Sequence, residues 1–305
     1  MIFKKIETDQ EWSAAIELRN RRNWSHPVSV AEERSFHERT RQNRKDFRFI
    51  GIEADEIVGY GYLLETINST IKNSFWMDFS VDPAHPEAAV RMAAMADEGW
   101  RMLQEQGGVV GRVEARGEHP YEVEVFRSMG YEFEKRLPYS QLLTNEVDYQ
   151  KQEGVISFAE FLAMFPEDGL HKFWRLEMEV AADLPLPFPF VETPFESFVP
   201  MITNPENDLT SKFVLYEDGQ LKGLTQLWAS QVDSKLAATG LTGVRREFRR
   251  QRVATRLKQH AAAWAKERGI ERIFTDNEEN NPMYQLNLQL GFRHLFDYEV
   301  YSKPC

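Results

Sequence analysis

The sequence predicts two consecutive domains of one α/β (α+β) fold. Three observations carry this: a length of 305 residues with 42% hydrophobic residues, an internal repeat, and a strand–helix–strand pattern in each half. The length suits one large domain or two of ordinary size, and the apolar fraction lets either bury a core. The repeat decides for two.

In the first half, 49–53 and 57–63 read as strands joined through Ala54-Asp55-Glu56; in the second, 213–217 and 221–225 are joined through Asp218-Gly219-Gln220. The Asp-Gly pair marks a tight hairpin, because Gly accepts the positive φ that a primed turn demands. Phe79-Ser80-Val81 matches Leu241-Thr242-Gly243-Val244, and Ser128-Met129-Gly130-Tyr131 matches Gln289-Leu290-Gly291-Phe292. The pairs Gly59/Gly223, Val81/Val244 and Gly130/Gly291 are 164, 163 and 161 positions apart, a near-constant offset expected of a duplicated domain. Ala89, Ala93, Ala96, Trp100 and Leu103 form one helical stripe ending near Gly107-Gly108, and Val253, Leu257, Ala261, Trp264 and Ala265 form another ending at Gly269. Each helix leads into a strand, 109–113 and 270–274, which predicts a parallel crossover in each half.

An equivalent lead-in before each hairpin places the domains at 1–148 and 149–305, joined through the polar segment 144–154. The Pro-rich stretch 184–190 then becomes an extended loop inside the second domain. The apolar stretches are too short for a membrane span, and the N-terminus lacks the apolar core of a signal peptide. Cys305 is the single cysteine, which excludes an internal disulfide and a zinc–thiolate site and fits a reducing compartment. A cytoplasmic protein without a metal is expected. The net charge of −11 disfavours nucleic acid and anionic membranes as partners.

One segment departs from that acidic balance: 245–258 holds seven basic residues and one acid. It lies between a strand end and a helix start, where free N–H groups and the helix dipole favour an anion such as a pyrophosphate. Read alone, it also fits a solvated basic helix face or a nucleic-acid patch.

The segment resembles the acetyl-coenzyme A loop of the GNAT superfamily of N-acetyltransferases, whose motif is Gln or Arg, two residues, Gly, one residue, then Gly or Ala. Arg249 and Ala254 match its ends, and Arg252 stands where the motif has Gly. Downstream, Thr275 to Phe292 resembles the strand five to helix four region of these enzymes, and its Asn280-x-x-Met283-x-x-x-Asn287-x-x-Leu290-Gly291-Phe292 pattern resembles that of a tandem-domain branch. The resemblance spans nearly all of 155–305 and, more weakly, 1–145. It implies two GNAT-like domains, each a mixed, mostly antiparallel sheet flanked by helices, with strands four and five splayed apart.

It also implies an enzyme that moves an acetyl or other acyl group from acetyl-coenzyme A to a primary amine of a small molecule, by direct attack on the thioester. The coenzyme would be held by Thr242, Gly243 and Val244, by Arg249, Arg250, Gln251, Arg252, Val253, Ala254 and Thr255, and by Asn280. Asn287 takes the position where the family usually has a Tyr that protonates the leaving thiolate. Tyr284, one turn earlier, is an alternative acid or a packing aromatic, and Glu247 and Asp276 are candidate bases by location. The first domain, with Asp82, Pro83 and Pro86 in its equivalent loop, is expected to be a degenerate, non-catalytic copy. The alternative reading is a pseudo-acetyltransferase that binds coenzyme A or a metabolite without turnover; in either case a monomer or homodimer is expected.

Overall fold

The computed structural model describes residues 1–66, 70–184, 190–204 and 207–305, so 185–189 of the Pro-rich stretch lie outside the described residues. The chain divides into two compact units, residues 1–139 with 296–305, and residues 140–295.

The first unit contains β1 (Ile2–Lys5), α1 (Asp9–Arg22), α2 (Val30–Thr40), β2 (Asp46–Glu53), β3 (Glu56–Glu65), β4 (Ser74–Val81), α3 (Ala88–Glu105), β5 (Val110–Arg116), α4 (Pro120–Ser128) and the start of β6 (Glu132–Leu143). The second contains β7 (Val155–Ser157), α5 (Phe158–Met164), α6 (Gly169–Ala181), α7 (Phe195–Ile202), β8 (Lys212–Glu217), β9 (Gln220–Ala229), β10 (Leu236–Val244), α8 (Val253–Glu267), β11 (Arg272–Asp276) and α9 (Pro282–Gln289). Strands run β1-β2-β3-β4-β5 in the first unit and β7-β8-β9-β10-β11 in the second. Within each, pairing is antiparallel except at the last step, β4 with β5 and β10 with β11.

The repeat is therefore structural. Both hairpins turn through two residues at positive φ, Ala54 and Asp55 in one and Asp218 and Gly219 in the other. Such dihedrals match the right-handed strand twist. Alternation along β8 sorts its side chains onto two faces: Phe213 and Leu215 pack with Leu257, Ala261 and Trp264 of α8, while Val214 packs with Phe158, Phe173 and Leu176 of α5 and α6. The first unit repeats this layering, with Phe49 in the core that includes Met92 and Ala96 of α3 and Ile50 beside Ala15 of α1.

The division differs from one at 148/149. The second unit already begins at Ser140, and the C-terminal strand β12 (Arg293–Pro304) leaves it: residues 298–304 pair antiparallel with β5, Tyr298 opposite Arg116 through Pro304 opposite Val110. The hydrophobic pattern of 296–304 specifies a strand but not its partner, which is a long-range property.

In the first unit, β4 and β5 pair only from Ser74/Val110 to Met77/Val113, and their continuations part. Arg22 of α1 fills the gap. Its guanidinium donates to Asp78 Oδ1 (2.7 Å) on β4, to the Glu114 carbonyl (3.0 Å) on β5, and to both carboxylate oxygens of Glu122 (2.8 and 2.9 Å). Glu122, fully buried, also accepts the Arg116 N–H at 2.9 Å. The following loop is satisfied internally, Asp82 accepting the Ala84 N–H and His85 the Glu87 N–H. Replacing Arg22 by Met leaves Glu122 charged and buried without its cation, a change that typically costs about 3–5 kcal/mol. Urea unfolding of the variant should show a loss of that size, and an unchanged midpoint would contradict the buried network.

Candidate active site

The second unit has a similar strand separation. β10 and β11 pair from Leu236/Arg272 to Ala238/Phe274 and then part, while the β9–β10 register shifts between Thr239 and Thr242. A cavity of about 1030 Å³ lies there, walled by residues 239–244 of β10 on one side and Thr275, Asp276 and Asn277 on the other. Gly243 permits the packing behind this wall, since a Cβ on it would sit 2.5 Å from Val180 Cβ of α6.

The loop from β10 to α8 closes one end. Arg250 and Arg252 both adopt φ of 61°, and Arg252 is the N-cap of α8 in the left-handed region. No side chain caps this helix, as none caps α3, α4, α6 or α7, whereas Thr8, Ser29, Ser157 and Asn281 cap α1, α2, α5 and α9. The first helical bond here runs from Arg256 N–H to the Arg252 carbonyl, so the amides of Val253, Ala254 and Thr255 remain unused by the helix beside the cavity that these residues line. The Gly of the family motif thus corresponds to a positive-φ position as well as a close approach, and Arg252 holds that conformation with a side chain exposed to solvent.

The seven cations of 245–258 fall into two sets. Arg245 pairs with Glu179 (3.1 Å), Arg246 with Asp183 (2.6 Å), Arg249 also with Asp183, and Arg256 with Glu217 (2.5 Å). The two arginines hold the Asp183 carboxyl down at about 2, so it stays charged. Arg250, Arg252 and Lys258 make no ion pair among the described residues, and all three line the cavity. Lys258 is 6% exposed, and burial alone brings its ammonium down to about 8. Unpaired buried charge is costly, and an anion in the cavity would offset that cost.

Of the residues expected to bind the coenzyme, Thr242, Gly243, Val244, Arg249, Arg250, Arg252, Val253, Ala254 and Thr255 line this cavity. Gln251 does not: it is exposed, and its amide donates to the Glu247 carbonyl. Asn280 is exposed and donates to Glu278, while its neighbour Asn281 lines the cavity and caps α9 through Met283 N–H (2.9 Å). Capping fixes which asparagine turns inward, and the sequence offered two.

Asn287 is fully buried and outside the wall, its amide donating to Oδ1 of the wall residue Asn277. Tyr284 is half-buried on α9 and does not line the cavity. Glu247 is exposed in the short turn 246–248, also off the wall, whereas Asp276 is on it. Sequence reasoning missed Lys258, Asp183 and Tyr149, all wall residues. Lys258 had a signal, a charge directly after Leu257 in the apolar stripe; Asp183 is 60 or more positions from its arginines and had none.

The positive φ at Arg252 gives a stability prediction. Arg252→Gly removes a left-handed penalty of roughly 1 kcal/mol and adds back Gly entropy. Thermal unfolding should show an equal or higher Tm, and a lower one would mean that the Arg252 side chain contributes to the fold.

Residues 175–292 match the sequence profile of the Acetyltransferase (GNAT) family. A search of curated proteins returned no match. Among solved structures, the chain is similar to a tandem GNAT protein from the clavulanic acid biosynthesis pathway, with a TM-score of 0.75 at 15% identity, covering 99% of this chain and 98% of the other. It is also similar to a GCN5-related N-acetyltransferase from Sphaerobacter thermophilus (TM-score 0.72, 14% identity, 99% and 95% covered). An acetyltransferase from the GNAT family of Colwellia psychrerythraea matches over the whole of both chains with a TM-score of 0.65 at 13% identity. The profile match falls on the unit that holds the open strand gap and the unpaired cations, and the chain as a whole has the fold of tandem GNAT proteins.

Proposed function

We propose that this protein transfers an acetyl group from acetyl-coenzyme A to a primary amine of a small molecule, using the second unit alone as the coenzyme site. The observation that supports it is the sorting of charge: of seven cations in one segment, the three without a carboxylate partner all line one cavity, beside three helix amides unused by the helix. In this reading the amides of Val253, Ala254 and Thr255, with Arg250 and Arg252, hold the pyrophosphate, and Lys258 faces a further phosphate or the adenosine end. The free edge of β10, Thr242 to Val244, bonds the pantetheine arm as a substitute strand. Asn287 acts by fixing Asn277 in the wall, and Tyr284 remains the nearby hydroxyl for the leaving thiolate. The first unit, plugged by Arg22, binds no coenzyme.

The test exploits an opposition between stability and binding. Ala254→Asp places a carboxylate in the first turn of α8, which the helix dipole favours by about 0.3–1 kcal/mol. The same carboxylate repels a pyrophosphate. Calorimetric titration should show acetyl-coenzyme A binding weakened by at least tenfold, about 1.4 kcal/mol, in a variant whose Tm is equal or higher. Equal affinity in both proteins would remove the helix terminus from the site.

Affinity should also fall as pH rises through about 8, where Lys258 loses its charge in the free protein. Binding an anion raises that value, so proton uptake on binding should be measurable by calorimetry in buffers of different ionisation enthalpy, and should disappear in Lys258→Met.

A further inference from the structure

Opposite the phosphate end, the cavity wall is formed by the irregular part of β10 around Gly240. Two side chains stand directly behind this glycine. A Cβ on Gly240 would lie 2.2 Å from Nε1 of Trp228 and 3.1 Å from Oε1 of Gln226. Behind each stands a charge. Gln226 donates from its amide to Glu177 Oε2 at 3.0 Å, and the Trp228 indole lies over Lys212 Nζ, 3.7 Å from ring centroid to nitrogen. Lys212 is 1% exposed, and its Nζ has no hydrogen-bond partner and no ion pair among the described residues.

The first unit shows what a satisfied version of this cluster looks like. Lys212 faces Gln226 across β8 and β9, and Arg48 faces Tyr62 across β2 and β3. Both pairs are 164 positions apart, the offset of Gly59 and Gly223. Arg48 donates to Glu33 (2.7 Å) and to the Tyr60 hydroxyl (3.0 Å), pairs with Asp46 (2.8 Å) and stacks on Tyr62. Glu33 comes from α2, whereas the acid near Lys212 in the second unit, Glu177, comes from α6. In the second unit an acid and a base are likewise close, but among the described residues the base has no acceptor and the acid has one amide. Buried charges in native proteins are paired, and among the described residues these two lack the partners that Arg48 and Glu33 have.

We propose that this cluster is the acceptor subsite, Glu177 receiving the amine and Lys212 an anionic group of the same molecule, so that the acceptor is a small zwitterionic amine of the amino-acid kind. The proposal rests on the acetyl-transfer reading above. Trp228, 41% exposed, is the cover over Nζ, and an entering carboxylate replaces its ring on the ammonium. Burial pushes Glu177 up to about 7 and brings Lys212 down to about 8, so near neutrality the first can take a proton while the second is still largely charged. The charged group acting on Glu177 is Lys212, and those acting on Lys212 are Glu177 and Asp208. In the reaction the ammonium gives a proton to Glu177, and the amine nitrogen bonds to the thioester carbonyl carbon. The carbon–sulfur bond breaks, the nitrogen's second proton goes to the leaving thiolate, and Glu177 returns its proton to solvent.

The experiment measures thiol release from saturating acetyl-coenzyme A by the full chain with matched probes: glycine and methylamine, β-alanine and ethylamine, lysine and cadaverine, phenylalanine and phenethylamine. The expected result is at least a tenfold preference in kcat/KM for a carboxylate-bearing member over its twin. That preference should be lost in Lys212→Met, kept in part in Lys212→Arg, and accompanied by unchanged acetyl-coenzyme A affinity in both. Glu177→Gln should lower kcat at least a hundredfold and abolish the rise in rate through pH 7. Twins used equally well, a preference surviving in Lys212→Met, or a protein that binds acetyl-coenzyme A but turns over no probe would each overturn the subsite. Failure of the wild type to bind acetyl-coenzyme A would instead overturn the coenzyme reading, and the subsite with it.

Discussion

The parting of β10 from β11 after Ala238 and Phe274 is the constraint on which the second unit's chemistry depends. A parallel pair that stayed zipped would satisfy its own amides and carbonyls and leave no room between the strands. Once it opens, backbone groups on both sides need partners, and the wall they form can accept an extended polar chain. The irregular register at 239–242 belongs to the same event, because it turns Gly240 toward the side chains of the neighbouring strand.

The two units answer that constraint differently with nearly the same backbone. In the first, one arginine crosses the gap and a glutamate from the next helix completes it, so the open strands become a buried ion cluster. In the second, cations beside α8 line the cavity without an ion pair among the described residues, and an acid and a base lie behind Gly240. The strand order of the two units is the same, so this difference lies in their side chains.

Much of this was legible in the sequence. The repeat, both hairpins, both long helices and the basic segment are local patterns, set by turn chemistry and by periodicity, and the structure has them at those positions. What was not legible is long-range. Whether an arginine of 245–258 is neutralised depends on Asp183, Glu179 and Glu217, which no spacing rule connects to it. Asn280 and Asn281 are chemically identical in sequence, and only the cap of α9 separates them. Glu177 lies in an amphipathic helix where an acid reads as solvent-facing, and its meaning comes from Gln226 and Lys212 on strands far along the chain. The destination of residues 296–305 was hidden for the same reason.

That last strand sets an order of assembly. The first unit has its other strands by residue 139, but the partner of β5 comes only with residues 296–305. At roughly 5–20 residues per second, the ribosome needs on the order of ten seconds or more to make the intervening segment. During that interval the β5 edge lacks the neighbour it has in the finished protein, a condition that invites pairing with other chains. The second unit, whose residues are contiguous, has its full complement of strands before the first unit has its last one.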